Sequence, residues 1–150
     1  VDPGPLDPLI QILYKVVMNQ FNDNNYCFVC GSQNPVGLKL EFQYDEQNRE
    51  VVSKAIFNPH FQGWQGVLHG GLISTVLDEI MIKAAAQNGL KCVTVELNVR
   101  FKKPASITKE FIVKGKVKEV RKRLVFAESS LIDSDNVIIA SANGKFITIA

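Results

Sequence analysis

Cysteine is scarce in this 150-residue chain. The three present, Cys27, Cys30 and Cys92, are an odd number, which excludes a complete disulfide framework and points to a reducing compartment. Charge of one sign is lacking as well: 17 Lys plus Arg stand against 15 Asp plus Glu, and the formal net charge of +2 gives no global reason to bind nucleic acid or an acidic membrane. Any anion site must therefore be local. The opening residues lack a basic segment followed by an apolar core and a small-residue cleavage site, so the chain is read as carrying no secretory signal and as cytoplasmic. No internal repeat or low-complexity tract is present. The 23 residues from Ala55 to Leu77 carry no Asp, Glu, Lys or Arg, yet they hold Asn58, Pro59, His60, Gln62, Gln65, His69, Ser74, Thr75 and four glycines. That density of polar groups and helix breakers is costly in hydrocarbon and excludes a membrane span. It fits an uncharged polar loop beside an active site.

What is present is one ordinary domain's worth of chain, with 46% hydrophobic and 9% aromatic residues, able to bury a core without disulfides or a structural metal. Leu6, Leu9, Ile10, Leu13, Val16, Val17 and Phe21 recur at helical spacing behind an Asp7-Pro8 cap, which predicts a short N-terminal helix in an extension over 1–26. Residues 27–150 form the main domain. Leu38, Leu40, Phe42 and Tyr44 alternate with polar residues and predict a strand, with 51–57 returning beside it after the polar turn 45–50. From Leu72 to Asn88 the chain is apolar nearly all round and stops at Gly89, the pattern of a helix buried on most of its surface. Four strand-like runs follow, at about 92–101, 110–120, 123–133 and 137–149. Two strands, one apolar helix and four more strands predict an α+β domain, an antiparallel sheet wrapped around a central helix.

The front of that helix carries the candidate chemistry. Gly70 and Gly71 open it, where the first N–H groups have no intrahelical partner and the dipole favours negative charge. A carbonyl can approach glycine backbone closely, so this is a candidate oxyanion site, though two glycines also serve close packing. Of the adjacent carboxylates, Glu79 stands four residues before Lys83 in the order of an exposed ion pair and is read as solvated. Asp78 has no such partner and shares its face with small residues, Gly71, Ser74 and Ala85, which makes it the candidate general base or nucleophile. Gly71 and Asp78 are separated by about 10.5 Å along a helix, at 1.5 Å per residue. If both serve one reaction, they come from different subunits, in two composite sites per two-fold dimer.

The run Gly66-Val67-Leu68-His69-Gly70-Gly71-Leu72-Ile73-Ser74-Thr75-Val76-Leu77-Asp78 resembles the His-Gly-Gly signature of hotdog-fold acyl-CoA thioesterases of the phenylacetic-acid-degradation type, with the carboxylate nine residues after the histidine. The resemblance extends to Cys27-Phe28-Val29-Cys30-Gly31 with Asn34-Pro35-Val36-Gly37-Leu38, and to Val93 through Asn98, so it spans roughly 27–149. It implies a hotdog fold with protomers joined sheet edge to sheet edge, often pairing further from homodimers into tetramers. It also implies that Gly71 polarises the thioester carbonyl, that Asp78 activates water or attacks directly, and that Thr94 supplies a hydroxyl orienting that carboxylate. His69 is read as a positioning residue at the helix start. One departure stands out: members often carry an asparagine six residues before the histidine, and here that place is Gly63, flanked by Gln62 and Gln65, either of which can take over the amide's role. Phe61 and Trp64 beside them are candidate walls of an acyl or aryl tunnel, or simple core.

Charge distribution adds a clue. Residues 100–123 hold ten Lys or Arg and two acids, net +8, leaving −6 on the rest. Such a patch suits a polyphosphate such as coenzyme A; Arg121, Lys122 and Arg123 at a strand turn are the first candidates, with Lys102 and Lys103, against the alternative of a strand edge protected by lysines. Cys27-x-x-Cys30 offers half of a tetrahedral zinc site, but the sequence shows no other half, so the pair is read as packing a loop, with no metal and no cofactor apart from the CoA of the substrate. The predicted function is hydrolysis of an acyl- or aryl-CoA thioester to free acid and CoA. The alternatives are a non-catalytic acyl-CoA-binding sensor and a hotdog dehydratase or hydratase. No helix-turn-helix is visible to support nucleic-acid binding, and no membrane partner is expected.

Overall fold

The computed structural model describes residues 7–10, 21 and 23–149. Most of the expected N-terminal helix lies outside the described residues. At its start 8–10 are helical, and Asp7 Oδ1 accepts the Leu9 N–H at 2.7 Å. The remaining elements, in order, are β1 (Gln43–Asp45), β2 (Glu50–Ile56), a 3-10 turn (Pro59–Phe61), α1 (Gly70–Gln87), β3 (Cys92–Phe101), β4 (Glu110–Arg121), β5 (Leu124–Asp133) and β6 (Ile138–Thr148). The strands form one antiparallel sheet ordered β1-β2-β4-β5-β6-β3, with α1 packed against it: the hotdog arrangement. Among the described residues no helix is long and apolar enough to cross a membrane.

Ile73, Val76, Leu77, Ile80, Met81, Ala84 and Ala85 of α1 are buried, and they meet the inward residues of β5, where Val125, Ala127, Ser129, Leu131 and Asp133 alternate with half-exposed neighbours. A helix this apolar must be covered on several sides, and register shifts in β3, β4 and β5 supply the bends a flat sheet lacks. The shift between Thr94 and Glu96 also reverses which residues face inward. Leu97 and Val99 pack on the core from odd positions, whereas Cys92 and Thr94 reach α1 from even ones. At its C-terminus α1 ends in a Schellman motif, with Gly89 at φ 74°, its N–H bonded to Ala86 O and the Leu90 N–H to Ala85 O.

The first strand is shorter than its alternation predicts. Residues 38–42 keep the alternating burial, but the Leu38 and Leu40 N–H groups donate to Phe28 O and Val29 O, at 2.8 and 2.9 Å, and Lys39 sits at φ 52°. The segment therefore pairs with the 27–31 loop instead of extending β1 along β2.

Gly115 marks the closest approach of β4 to α1: a Cβ there would lie 2.9 Å from Ile80 Cγ2 and 3.0 Å from Ile80 O. Gly115→Val is expected to lower the urea midpoint by the equivalent of about 1–3 kcal/mol, the usual cost of overpacking. An unchanged midpoint would show that α1 tolerates displacement from the sheet.

Candidate active site

The loop entering α1 is held from both sides. Gly63 N–H donates to Val67 O at 2.8 Å and Leu68 N–H to Ala105 O at 2.9 Å, while Gly66, at φ 76°, takes the left-handed conformation that glycine adopts freely. Gln62 Oε1 accepts the Gly66 N–H at 3.0 Å, so this amide braces the turn from within. His69 is the N-cap: its backbone is extended, and its Nδ1 accepts the Gly71 N–H at 2.9 Å. The Gly71 donor, expected to lack a partner, is thus satisfied by the imidazole, because a helix start leaves N–H groups that a nearby acceptor fills. The Gly70 N–H has no acceptor among the described residues.

A cleft of about 700 Å³ opens at this helix end, floored by Leu68, Ile73 and Ala105 and flanked by Phe101, Lys102 and Lys103, with His69 and Gly70 on its wall. Trp64 stands at its rim, 87% exposed, whereas Phe61 packs partly into the core outside the cleft. Gln65 is exposed and also outside it. Of the proposed tunnel walls, only Trp64 borders the cleft. Phe101 is a lining residue that sequence reasoning did not single out. Its ring would lie 3.4 Å from a Cβ on Gly70, and the signal for it was a large aromatic ending a strand that leads back to the glycines.

Asp78 lies two turns down α1, half-buried, with its Oδ1 accepting from Thr94 Oγ1 at 2.8 Å. Burial pushes its carboxyl above the usual range, the Thr94 hydroxyl opposes that, and the Glu79 charge adds to it. Cys92 lies close enough for Asp78 to help push its thiol up to about 11, chiefly through burial, so it supplies no thiolate at neutral pH. Asp78 is not among the residues lining the cleft of its own chain, as the helical spacing from Gly71 requires.

Glu79 is not the plain solvated partner that its spacing suggests. It pairs with Lys83 at 3.5 Å, but the 27–31 loop covers it, with Cys27 Sγ at 3.8 Å from Oε1. The basic segment is likewise broken up. Lys109 pairs with Asp133 and Asp135, Lys114 with Glu50, and Lys116 and Lys118 with Glu128, so four acids from outside the segment offset half of the +8, while Arg121 pairs with Glu119 of its own strand. Register also separates the candidates. Arg121, Lys122 and Arg123 turn at the end of the sheet where Leu124 pairs Ile147 and Ile147 pairs Val93, whereas Lys102 and Lys103 follow Phe101 at the opposite end. Within one chain they do not form one patch. Arg100, Lys102 and Lys103 have no ion-pair partner among the described residues.

With this geometry in hand, comparison with known proteins places the chain. The thioesterase superfamily model matches residues 65–140, from the glycine loop through α1, β3, β4 and β5 to the start of β6, and the chain belongs to that superfamily. It is similar to acyl-coenzyme A thioesterase THEM4 of Bos taurus, 27% identical over 114 residues that make up 74% of this chain and 47% of that protein. The chain therefore spans about half the length of the curated relatives of this kind. Among solved structures it is similar to the Escherichia coli PaaI protein from the phenylacetic acid degradation operon, with a TM-score of 0.69 and 18% identity over 75% of this chain and 81% of that one. It is also similar to a hypothetical thioesterase protein with coenzyme A from Streptococcus pneumoniae, with a TM-score of 0.67 and 17% identity over 73% of this chain and 87% of that one. At these identities the structures establish the shared fold.

A carboxyl whose pKa is raised by folding weakens the native state once the pH passes its unfolded value, because the unfolded chain ionises first. Asp78→Asn, which keeps an acceptor for Thr94, is expected to raise the urea midpoint at pH 7, with a gain that shrinks as the pH is lowered toward about 4. A variant less stable than the parent at pH 7 would mean that the ionised carboxylate is needed structurally.

Proposed function

We propose that this chain hydrolyses acyl-CoA or aryl-CoA thioesters to the free acid and CoA, in sites shared between two protomers. The observation that carries the reading is Asp78: a half-buried carboxylate held at 2.8 Å by Thr94 behind the β3 edge of the sheet. The names of the relatives and the superfamily support the reaction class.

β3 is one of the two edge strands of the sheet, ten residues long and without a partner on its outer side among the described residues, and a long edge of this kind is a template for pairing. If two copies pair β3 to β3 antiparallel about a two-fold axis, the Phe101 end of one strand lies opposite the Thr94 end of the other. Gly70 packs beside Phe101, so the N-terminus of one helix is brought toward Asp78 and Thr94 of the partner subunit. The same rotation moves the partner subunit's Arg121, Lys122 and Arg123 toward Lys102 and Lys103, reuniting cations that one chain holds apart. In this arrangement the Gly70 or Gly71 N–H polarises the thioester carbonyl, the latter once the carbonyl oxygen displaces His69 Nδ1. Asp78 of the other protomer, ionised, takes a proton from the water that attacks the carbonyl carbon, or attacks that carbon itself to give an acyl anhydride that water then cleaves to the free acid; in either route the C–S bond breaks and the CoA thiolate takes up a proton that the water supplies. The apolar cleft holds the acyl group, and Lys102 and Lys103 meet the phosphates.

Thiol release from short, long and aromatic acyl-CoAs tests the activity. Asp78→Asn is expected to lower kcat/KM by about 10²–10⁴, the range for loss of a positioned base. Thr94→Val removes the hydroxyl that holds the Asp78 pKa down, so the acid limb of the rate profile moves to higher pH. Tight acyl-CoA binding without turnover would favour a sensor. For the shared site, equal mixing of Asp78→Asn protomers with Gly71→Val protomers by refolding is expected to restore about a quarter of the parental activity, from hybrids with one intact site. No restoration, with hybrids demonstrably formed, would place both groups in a single-chain site.

A further inference from the structure

The Cys27-x-x-Cys30 pair has no part in the proposed hydrolysis, and in the sequence it lacks further ligands. The fold supplies one. Both Sγ atoms and a carboxylate oxygen of Glu79, contributed by the middle of α1, lie within 4.8 Å of one another, and among the described residues this is the one group of three or more metal-capable side chains.

We propose that Cys27, Cys30 and Glu79 bind a thiophilic divalent cation, zinc in the first instance, as a structural clip fastening the 27–31 loop to α1. Three features besides proximity support the site. The first is the loop itself, a tight knuckle in which Gly31 N–H bonds to Cys27 O at 2.8 Å and the Val29 N–H donates to Cys27 Sγ at 3.4 Å, a backbone contact to the sulfur that a metal-bound Cys27 keeps. The knuckle requires glycine at its end, since a Cβ on Gly31 would lie 2.4 Å from Cys27 N and 2.5 Å from Cys27 O. The second is spacing. Tetrahedral zinc with bonds of about 2.3 Å to sulfur and 2.0–2.2 Å to oxygen sets these ligand atoms about 3.5 Å apart. Cys27 Sγ and Glu79 Oε1 stand at 3.8 Å, within a small side-chain adjustment of that edge.

The third feature is charge. Two thiolates and a carboxylate around a dication leave one net negative charge, and Lys83, 3.5 Å from Glu79, supplies the compensating ammonium. The Lys83 ammonium is also held over the Phe42 ring, 5.7 Å from the centroid, a cation–π contact that keeps it beside Glu79. Binding replaces two S–H bonds with two metal–sulfur bonds and releases both protons to water, with no change of oxidation state. A fourth position is left for water. The clip holds down a segment whose Val29 and Leu40 belong to the core, and it does so on the helix residue next to Asp78.

The test uses the whole chain, purified under reducing conditions without chelator. Elemental analysis is expected to find about one zinc per chain, and cobalt added to metal-stripped protein is expected to give tetrahedral d–d bands with thiolate charge-transfer absorption. Cys27→Ser and Cys30→Ser should abolish that absorption. Glu79→Gln should weaken cobalt binding by at least about 10-fold, the lower bound seen even for groups that only support metal ligands. Cys92→Ser should leave the spectrum unchanged, which separates the site from general loss of thiols. Reduced parental protein that gives no tetrahedral cobalt spectrum while Cys27 and Cys30 titrate as free thiols overturns the proposal. So does a Cys27–Cys30 disulfide that persists under reductant. Neither result depends on thioester turnover.

Discussion

Burial of α1 is the constraint from which the rest of the structure follows. Its seven buried side chains recur at spacings of three and four residues and span about half of its circumference, wider than a flat surface covers, so the sheet has to curl. That enclosure explains why β4 carries a glycine under Ile80 and why Ser129, buried on β5, sends its hydroxyl to Leu77 O at 2.9 Å. A polar group pressed against an enclosed helix needs an acceptor, and the helix backbone offers one. It also explains why Asp78 is costly: a carboxylate on a helix wrapped by a sheet is partly desolvated wherever it points, and one hydroxyl is its only side-chain partner among the described residues.

The second determinant is the position of β3. The chain places β3, its third long element, at one edge of the sheet, next to β6, and among the described residues no strand lies on its other side. Asp78 and the helix N-terminus both lie close to this edge, but at different heights along it. A single chain therefore presents two half-sites, a carboxylate with its hydroxyl and a cleft with backbone donors. The proposed two-fold pairing of edges would match each half to its complement, which would account at once for the separation of Gly71 from Asp78 and for the division of the basic residues between the two ends of the sheet.

Elements with strong periodicity were legible in the sequence. The helix ran from the glycine pair to Gly89, and β3 was found at 92–101, because a nearly all-apolar helix and runs of β-branched residues leave few alternatives. Of the expected strand only 43–44 pair with β2, and 38–42 were misassigned for a physical reason: alternating burial is a property of any extended chain lying on a core, whichever backbone it bonds to, and here the bonds go to Phe28 and Val29. Thr94 was placed by resemblance. Period-two counting from Leu97 and Val99 would have turned it outward, and only the register shift before Glu96 brings it to Asp78. The basic patch misled because charge counted along a sequence ignores neighbouring strands, and Glu50, Glu128 and Asp133 are remote in sequence yet adjacent in the sheet. Gln62 could not be sorted from Gln65 without the Gly66 turn that consumes its side-chain oxygen.

The neighbouring acids Asp78 and Glu79 show how one helix sets two chemistries. Successive residues point about 100° apart around an α-helix, so two adjacent carboxylates cannot share surroundings. Asp78 turns toward β3, where it meets a hydroxyl and no cation, and its pKa rises. Glu79 turns toward the 27–31 loop, where Lys83 offers a positive charge and two thiols crowd its oxygens. The first environment leaves a carboxylate incompletely compensated; the second compensates it with a nearby ammonium. Exchanging the two residue types would preserve composition and net charge, but the longer glutamate would overreach Thr94 and the shorter aspartate would fall short of the cysteines. The order Asp-Glu is therefore part of the site's geometry, fixed by the reach of each side chain to a different wall.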